Sequence, residues 1–546
     1  METYSSSVSS ERPNYVFAVT ASQSVLVVPA KAQRRSRSTS ITAEGALASL
    51  ALAIIALGIH GYHPYAEDGG PYFSAVLKAI HPGLYPSWTG FVFALTRFSV
   101  FAPLLSAMVR LSGLPLAWVN FMLYVASLWA AIFAGWLIAG SCFGARCARY
   151  GAVSILALSI TLPIAGTSLL LMDPYLTARS ISTPLGLFAI ATMLQLVQSS
   201  GRGKALLWRS GFACALCVIA SGLVHPLMTA YTAGLLVLLF VIARLRGAAR
   251  NWSITGSRAL AILLAGCVFR LSALATPEYI EAARSRSYWF LRSWHWYEIF
   301  GLIAPLVLLQ VLTRFNWLHQ RESLRWMALA SIVAGATAIA VALLFARESS
   351  ISYDLARLQP LRIFLPIYAV MILVLGAYAG EFLLTARRWQ TAALFLCVGG
   401  GMFFVQQGTF PRSAHIEFPW NMPRNGWEQA FAWISENTPP DARIALDAQY
   451  INYPGEDAQY FSAIAERSAL PDYSKDGGIA AIAPQLAREW DAAQKAQSGL
   501  NGETDAQRLA ALQRFSIDWI VLPAASPTAF PCPFHNGAAK VCRIAR

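Results

Sequence analysis

The chain has 546 residues, of which 56% are hydrophobic and only 13% charged, with a net charge of +14. About a quarter of the residues of an ordinary soluble domain are charged, so this composition excludes a water-soluble protein and points to an integral membrane protein. The lysines and arginines sit mostly in short loops between apolar runs, where they set topology, so the positive balance does not indicate a nucleic-acid partner.

In chain order, residues 1–42 read as a polar, Ser-rich, disordered tail ending in Lys31, Arg34, Arg35 and Arg37. That basic cluster, just before the first apolar run, places the N-terminus in the cytoplasm, and no cleavable signal pattern is evident. A spanning helix needs roughly 20 apolar residues. The first is 43–59, followed by an external loop over 61–114. Inside that loop the apolar run Phe91–Leu111 carries Arg97, Pro103 and Arg110. Counting it as a span would put Arg146, Arg149, Arg202, Lys204 and Arg209 outside, against the positive-inside pattern, so it is read as lying along the membrane surface. Further spans are expected at 115–140, 151–170, 182–198, 210–224, 227–243, 257–275, 298–313, 326–346, 360–381 and 391–407. The run 210–243 is too long for one helix, and His225-Pro226 at its middle divides it.

The expected fold class is therefore mainly α. It is a polytopic helical membrane protein of about eleven spans (43–407), N-terminus inside, with a small extracytoplasmic α/β domain at 408–546. In that domain Gly426–Glu436 reads as an amphipathic helix, and Arg443–Leu446 and Ile517–Leu522 read as short strands. Cys532 and Cys542 stand apart there, and a disulfide between them suits a place outside the cytoplasm. Cys214 and Cys217 lie in apolar surroundings and read as helix-packing residues.

Glu67-Asp68, just after the first span, is the most informative pair, because carboxylates near a membrane interface are costly unless something binds them. On the expected topology Asp173, His225, Arg284, Arg286, Arg357 and Arg362 share their side. Arginine forks match phosphate oxygens, and a carboxylate can take a proton from an acceptor hydroxyl as it attacks a sugar. The pair Asp68 and Glu67 can also hold Mg or Mn beside a leaving phosphate. Plainer readings exist for the same residues: a solvated turn at Glu67–Gly70, a helix cap at Asp173, a carbonyl partner at His225, and an interfacial arginine–aromatic belt over 284–296. His60, His63 and His81 show no metal-ligand spacing.

This order resembles the GT-C superfamily of polyprenyl-linked glycosyltransferases. Its members follow one span with a long external loop carrying an acidic motif, here Glu67-Asp68 through about Leu111. A second acid often follows the third span, as Asp173 does. The run His81-Pro82-Gly83-Leu84-Tyr85-Pro86 is loosely similar to their His-Pro-Pro-Leu stretch, and Trp427–Asp441 with Ile517–Leu522 looks like the periplasmic tail of bacterial members. The family order is Asp-Glu or a lone Asp, whereas here it is Glu-Asp. The resemblance implies transfer of a sugar from a polyprenyl-phosphate donor, entering from the bilayer, to an acceptor at the outer face of a bacterial inner membrane. Asp68 would be the base or metal ligand with Glu67 its partner, and Asp173 would position acceptor or metal. Arg284, Arg286, Arg357 and Arg362 would hold lipid phosphate, with His225 a further substrate contact. The competing readings are a lipid or solute transporter, which should place ionisable residues near mid-bilayer where only Arg270 comes close, and a non-catalytic scaffold of the same fold.

Overall fold

The computed structural model describes residues 30–199, 204–248, 275–314, 322–348, 353–386, 388–457 and 459–544. The chain divides into a short unit, residues 1–44, and a unit of residues 45–546. Among the described residues eight helices are long and apolar enough to cross a membrane: Thr42–His60, Leu116–Cys142, Ala178–Gln198, Lys204–Val224, Pro226–Leu245, Glu322–Phe345, Asp354–Phe382 and Ala392–Thr409. The span expected at 257–275 lies outside the described residues but for its last. The one expected at 298–313 is the 17-residue helix Trp296–Leu312. The run Phe91–Leu111 splits into Thr89–Ala94 and Phe101–Ser112, neither long enough to cross.

The expected span at 151–170 differs. Its helix, Arg146–Leu158, ends after 13 residues. The chain then doubles back through a bridge between Pro163 and Leu170, with the Leu171 amide donating to the Leu162 carbonyl. Pro163 and Pro174 cannot donate in a helix, and Thr177 starts the next one through a capping box with Ser180. The irregular stretch delivers Asp173 to the site.

Asp354–Phe382 is the most buried of the eight. It packs on Arg146–Leu158 through Gly376 and Gly380, a small-xxx-small pair. A Cβ on Gly380 would lie 2.3 Å from the Cys147 carbonyl oxygen, so only glycine permits this approach.

The C-terminal sheet has strands β1 (Arg443–Ala445), β2 (Ser468–Ala469), β3 (Trp519–Pro523), β4 (Phe534–His535) and β5 (Ala539–Arg543) in the order β2-β1-β3-β5-β4. β1 is parallel to both neighbours, and β5 is antiparallel to β3 and β4. Ile517, Ile520, Leu522 and Leu512 pack beneath it, and Cys532 and Cys542 form a disulfide. Asn425 caps the helix Gly426–Asn437, which buries Trp427, Phe431 and Ile434.

Backbone pairing ties this region to the first loop. Tyr62 bridges Ile416, Ala66 bridges Gln459, and the Tyr460 amide donates to the Tyr65 carbonyl. The loop is thus held between the helical body and the sheet domain.

Candidate functional site

Glu67 and Asp68 sit at a tight corner. Glu67 has φ +51°, a left-handed conformation uncommon for a side-chain-bearing residue, and such strain persists only where surrounding structure enforces it. Gly69 and Gly70 do not form a solvated turn. They are buried and open the helix Gly69–Ile80. A Cβ on Gly70 would lie 2.2 Å from the Tyr460 Cβ, and one on Gly69 2.9 Å from the Tyr175 Cβ. The glycines therefore let the corner sit between the two ring-bearing segments, and Asp68 falls at the helix N-terminus, where a negative charge is favoured.

The carboxylates then meet cations from far along the chain. Arg179 Nη1 lies 3.1 Å from Asp68 Oδ2, and its Nη2 lies 2.9 Å from Asp173 Oδ2. Lys475, from the C-terminal region, donates to Glu67 and stands 3.7 Å from Asp68 Oδ1. Arg179 is 7% exposed and Asp173 5%, whereas Asp68 is 36% exposed. Burial pushes the Asp68 carboxyl up, but Lys475 and then Arg179 outweigh it and hold it at about 2. For Asp173 burial outweighs Arg179, and the carboxyl titrates above its ordinary value. Burial lowers Lys475, but Glu67 and Asp68 raise it further, so it stays charged.

These groups border a cavity of about 540 Å³. Glu67, Asp68, His225, Arg286, Arg357 and Arg362 all line it. So do Arg179 and Lys475, making five cationic side chains against two carboxylates. Asp173 reaches it only through Arg179, and it does not cap the next helix, since Thr177 does. Arg284 ends the helix Pro277–Arg284 and is exposed away from the cavity lining. The chain turns after Ser285, and Arg286 is the one brought inside.

The arginines in the lining are not equivalent. Arg286 donates to the carbonyls of Ser474 (2.6 Å) and Tyr473 (2.9 Å) and to the Ser285 hydroxyl, so it clamps the segment that carries Lys475. Arg357 pairs with Asp354 at 3.2 Å. The Arg362 guanidinium has no hydrogen-bond or ion-pair partner among the described residues, and its Nε is buried. Gln359, at φ +53° before Pro360, kinks the chain between Arg357 and Arg362 and lines the cavity with them.

His225 occupies the break between Lys204–Val224 and Pro226–Ala248, and its Nδ1 accepts from the Met228 amide at 3.5 Å. Burial, then Arg179 and Arg362, lower its pKa to about 3, so it is neutral. The Ser99 hydroxyl and Val100 amide donate to the carbonyls of Val224 and Leu223, which seats the first loop against this break. Leu95, the strongly exposed Phe98, Leu227 and Ile482 form an apolar side of the cavity.

Lys475 is seated by a buried carboxyl pair. Asp472 Oδ1 accepts from the Lys475 amide at 2.6 Å, and Asp476 accepts from the Asp472 amide and the Tyr460 hydroxyl, both at 2.9 Å. Burial raises both carboxyls.

Arg179 and Lys475 join the candidate site without being among the residues expected there. Arg179 carried a signal: a cation in the first turn of an apolar helix opposes the helix dipole and requires an acid, which Asp173 supplies. Lys475 carried none. A divalent metal does not fit the carboxylate pair as it stands. Among the described residues no three His, Cys, Asp or Glu come together as ligands, and Lys475 and Arg179 already engage these oxygens.

No protein family and no curated protein matches the chain by sequence. Among solved structures it is similar to the oligosaccharyltransferase AglB of Archaeoglobus fulgidus, in complex with an inhibitory peptide and a dolichol-phosphate. There the identity is 11% and the TM-score 0.47, over 88% of this chain and 69% of that one. The Archaeoglobus fulgidus enzyme tethered to an acceptor peptide gives 12% and 0.49 over the same shares. ArnT of Cupriavidus metallidurans in the apo state gives 12% and 0.36, over 93% of this chain and 98% of that one.

Proposed function

We propose that the chain is a membrane glycosyltransferase of the GT-C type, moving a sugar from a polyprenyl-phosphate donor to an acceptor at the outer face of the membrane. The observation that carries this reading is Arg362, a cation without a partner among the described residues, which lines the same cavity as Lys475 and the Asp68–Arg179 pair that Asp173 anchors. A half-buried guanidinium in that state calls for an anion, and a phosphate at the end of apolar helices satisfies it. The apolar side at Leu95, Phe98 and Leu227 suits the first isoprene units of such a lipid.

In this reading the acceptor's hydroxyl or amine attacks the anomeric carbon. The bond from that carbon to the phosphate oxygen breaks, and polyprenyl phosphate leaves with the bonding pair. Asp68 takes the acceptor's proton. Held at about 2, Asp68 is a weak base while both cations are on it. A phosphate held by Arg362 and drawing Lys475 toward itself removes the stronger of those two influences from Asp68 as charge builds on the leaving group. Asp173 is a positioning residue that orients Arg179.

The test is turnover of a panel of radiolabelled polyprenyl-phosphate sugars by the protein in lipid nanodiscs, beside Asp68→Asn and Arg362→Gln. Transfer by the parent, lost in Asp68→Asn and with weakened donor binding in Arg362→Gln, supports the reading. Absence of binding and turnover across the panel overturns it.

A further inference from the structure

A second cavity, of about 530 Å³, borders a different face of the helix Gly69–Ile80, lined there by Phe73, Leu77 and Ile80. Its other walls are Tyr62, Pro64 and Tyr65, the start of a membrane-spanning helix at Pro115–Ala117, and the connector around Glu417–Glu428. Four carboxyls line it: Glu417, Glu428, Glu436 and Glu466. Against them stand Arg424 and His81, both exposed.

The carboxyls here lack the cations found on the other side of the loop. Glu428 is 5% exposed, lines the cavity, and its carboxyl makes no hydrogen bond among the described residues. Glu417 Oε1 lies 2.7 Å from His63 Nδ1, while its Oε2 is buried without a hydrogen bond among the described residues, and Gln459 and Ser413 stand close enough to pull its carboxyl down in part. His63 is itself fully buried, stacked on Phe410 at 3.8 Å. No lysine or arginine pairs with Glu417 or Glu428 among the described residues. Asp457 adds a further buried carboxylate, held by the Arg412 amide and by Asn425. A buried acid with empty acceptor positions is costly, and a donor that supplies both charge and N–H groups removes that cost.

We propose that this cavity binds a primary ammonium group on a small apolar body, with Glu428 and Glu417 as counter-charges. Three observations select this chemistry. The cavity volume is that of a small-molecule site. Tyr65, Phe73 and Phe418 line it beside the acids, and aromatic faces attract an organic cation. No group of three His, Cys, Asp or Glu offers metal geometry among the described residues, whereas an ammonium needs only acceptors for its three N–H groups. Because a helix start at Pro115–Ala117 forms one wall, the ammonium has two sources: a free amine or the ethanolamine headgroup of a lipid.

Burial, and then Asp457, raise the Glu417 carboxyl to about 8, and burial, Glu417 and Asp457 raise Glu428 well beyond the ordinary range. Glu417 is therefore mostly protonated at neutral pH in the empty cavity, and an arriving ammonium displaces its proton. This gives a readout separate from affinity.

The experiment is calorimetric titration of the full chain, in phosphatidylcholine nanodiscs, with n-butylamine and with n-butanol as neutral counterpart. Two buffers of different ionisation heat are used. The expected result is saturable butylamine binding with proton release and no butanol binding. Affinity falls at least roughly tenfold in Glu428→Gln and in Glu417→Gln, and is unchanged in Asp68→Asn. If phosphatidylethanolamine in the disc abolishes butylamine binding, a lipid headgroup is the occupant; if it does not, a free amine is. Absence of saturable binding in phosphatidylcholine discs overturns the proposal. So does binding indifferent to Glu428→Gln in a variant whose thermal unfolding matches the parent.

Discussion

Two sets of carboxyls flank one short loop and behave oppositely. On one side Asp68 and Glu67 meet Arg179 and Lys475, and Asp68 is held at about 2. On the other, Glu417 and Glu428 are buried without a lysine or arginine among the described residues, and Glu417 is pushed up to about 8. Burial pushes both carboxyls up, more so the less exposed Glu417, and only Asp68 has Lys475 and Arg179 beside it to reverse that push, which separates an anion from a neutral acid. The first arrangement is set up to engage a phosphate and move a proton; the second waits for a cation.

Asp68 is where the two sets of carboxyls part most sharply. Asp68→Asn keeps size and removes the charge, and transfer should fall by about 10²- to 10⁴-fold, measured as label moved per folded enzyme. Arg179→Ala should act on the fold as well. It leaves Asp173 buried and unpaired, which costs roughly 3–5 kcal/mol, read by denaturant unfolding in detergent. Adding Asp173→Asn to it should recover much of that loss, and no recovery would place Arg179's contribution elsewhere. Gly70→Ala comes next, at about 1–3 kcal/mol, because the new methyl meets the Tyr460 Cβ.

The smallest effects are in pH, and they have opposite signs. Asp68 binds its proton less tightly folded, at about 2, than at its ordinary 3.8. Its stabilisation is present above about 3.8 and is lost as pH falls from there through 2. Glu417 binds its proton more tightly folded, at about 8, than at its ordinary 4.5. Between 4.5 and 8 the folded state holds the extra proton, so stability falls as pH rises through that window and levels above it. Glu417→Gln should flatten the loss on the alkaline side and leave the acid side unchanged, measured as unfolding midpoint against pH. A variant that changes both limbs alike would show the two sets to be coupled.

Hydropathy is a local property, and what depends on it was legible in the sequence. The eight long apolar helices, the break at His225-Pro226, the short, non-crossing helices of Phe91–Leu111 and the two predicted strands follow from runs of neighbouring residues. The stretch after Leu158 did not, because an apolar run says nothing of whether Pro163 and Pro174 will end its helix. The candidate acids and most of the arginines could be named from their places at the ends of spans. Their roles could not. Arg284 and Arg286 look alike in sequence, yet one turn of the chain leaves the first exposed and clamps the second on Ser474. What only the tertiary structure decided is which charge meets which. Lys475 reaches Glu67 across 408 positions, Arg179 reaches Asp68 across 111, and His63 reaches Glu417 across 354. The energy of a carboxyl depends on the few ångströms around it, and no local pattern in the chain records who stands there once it has folded.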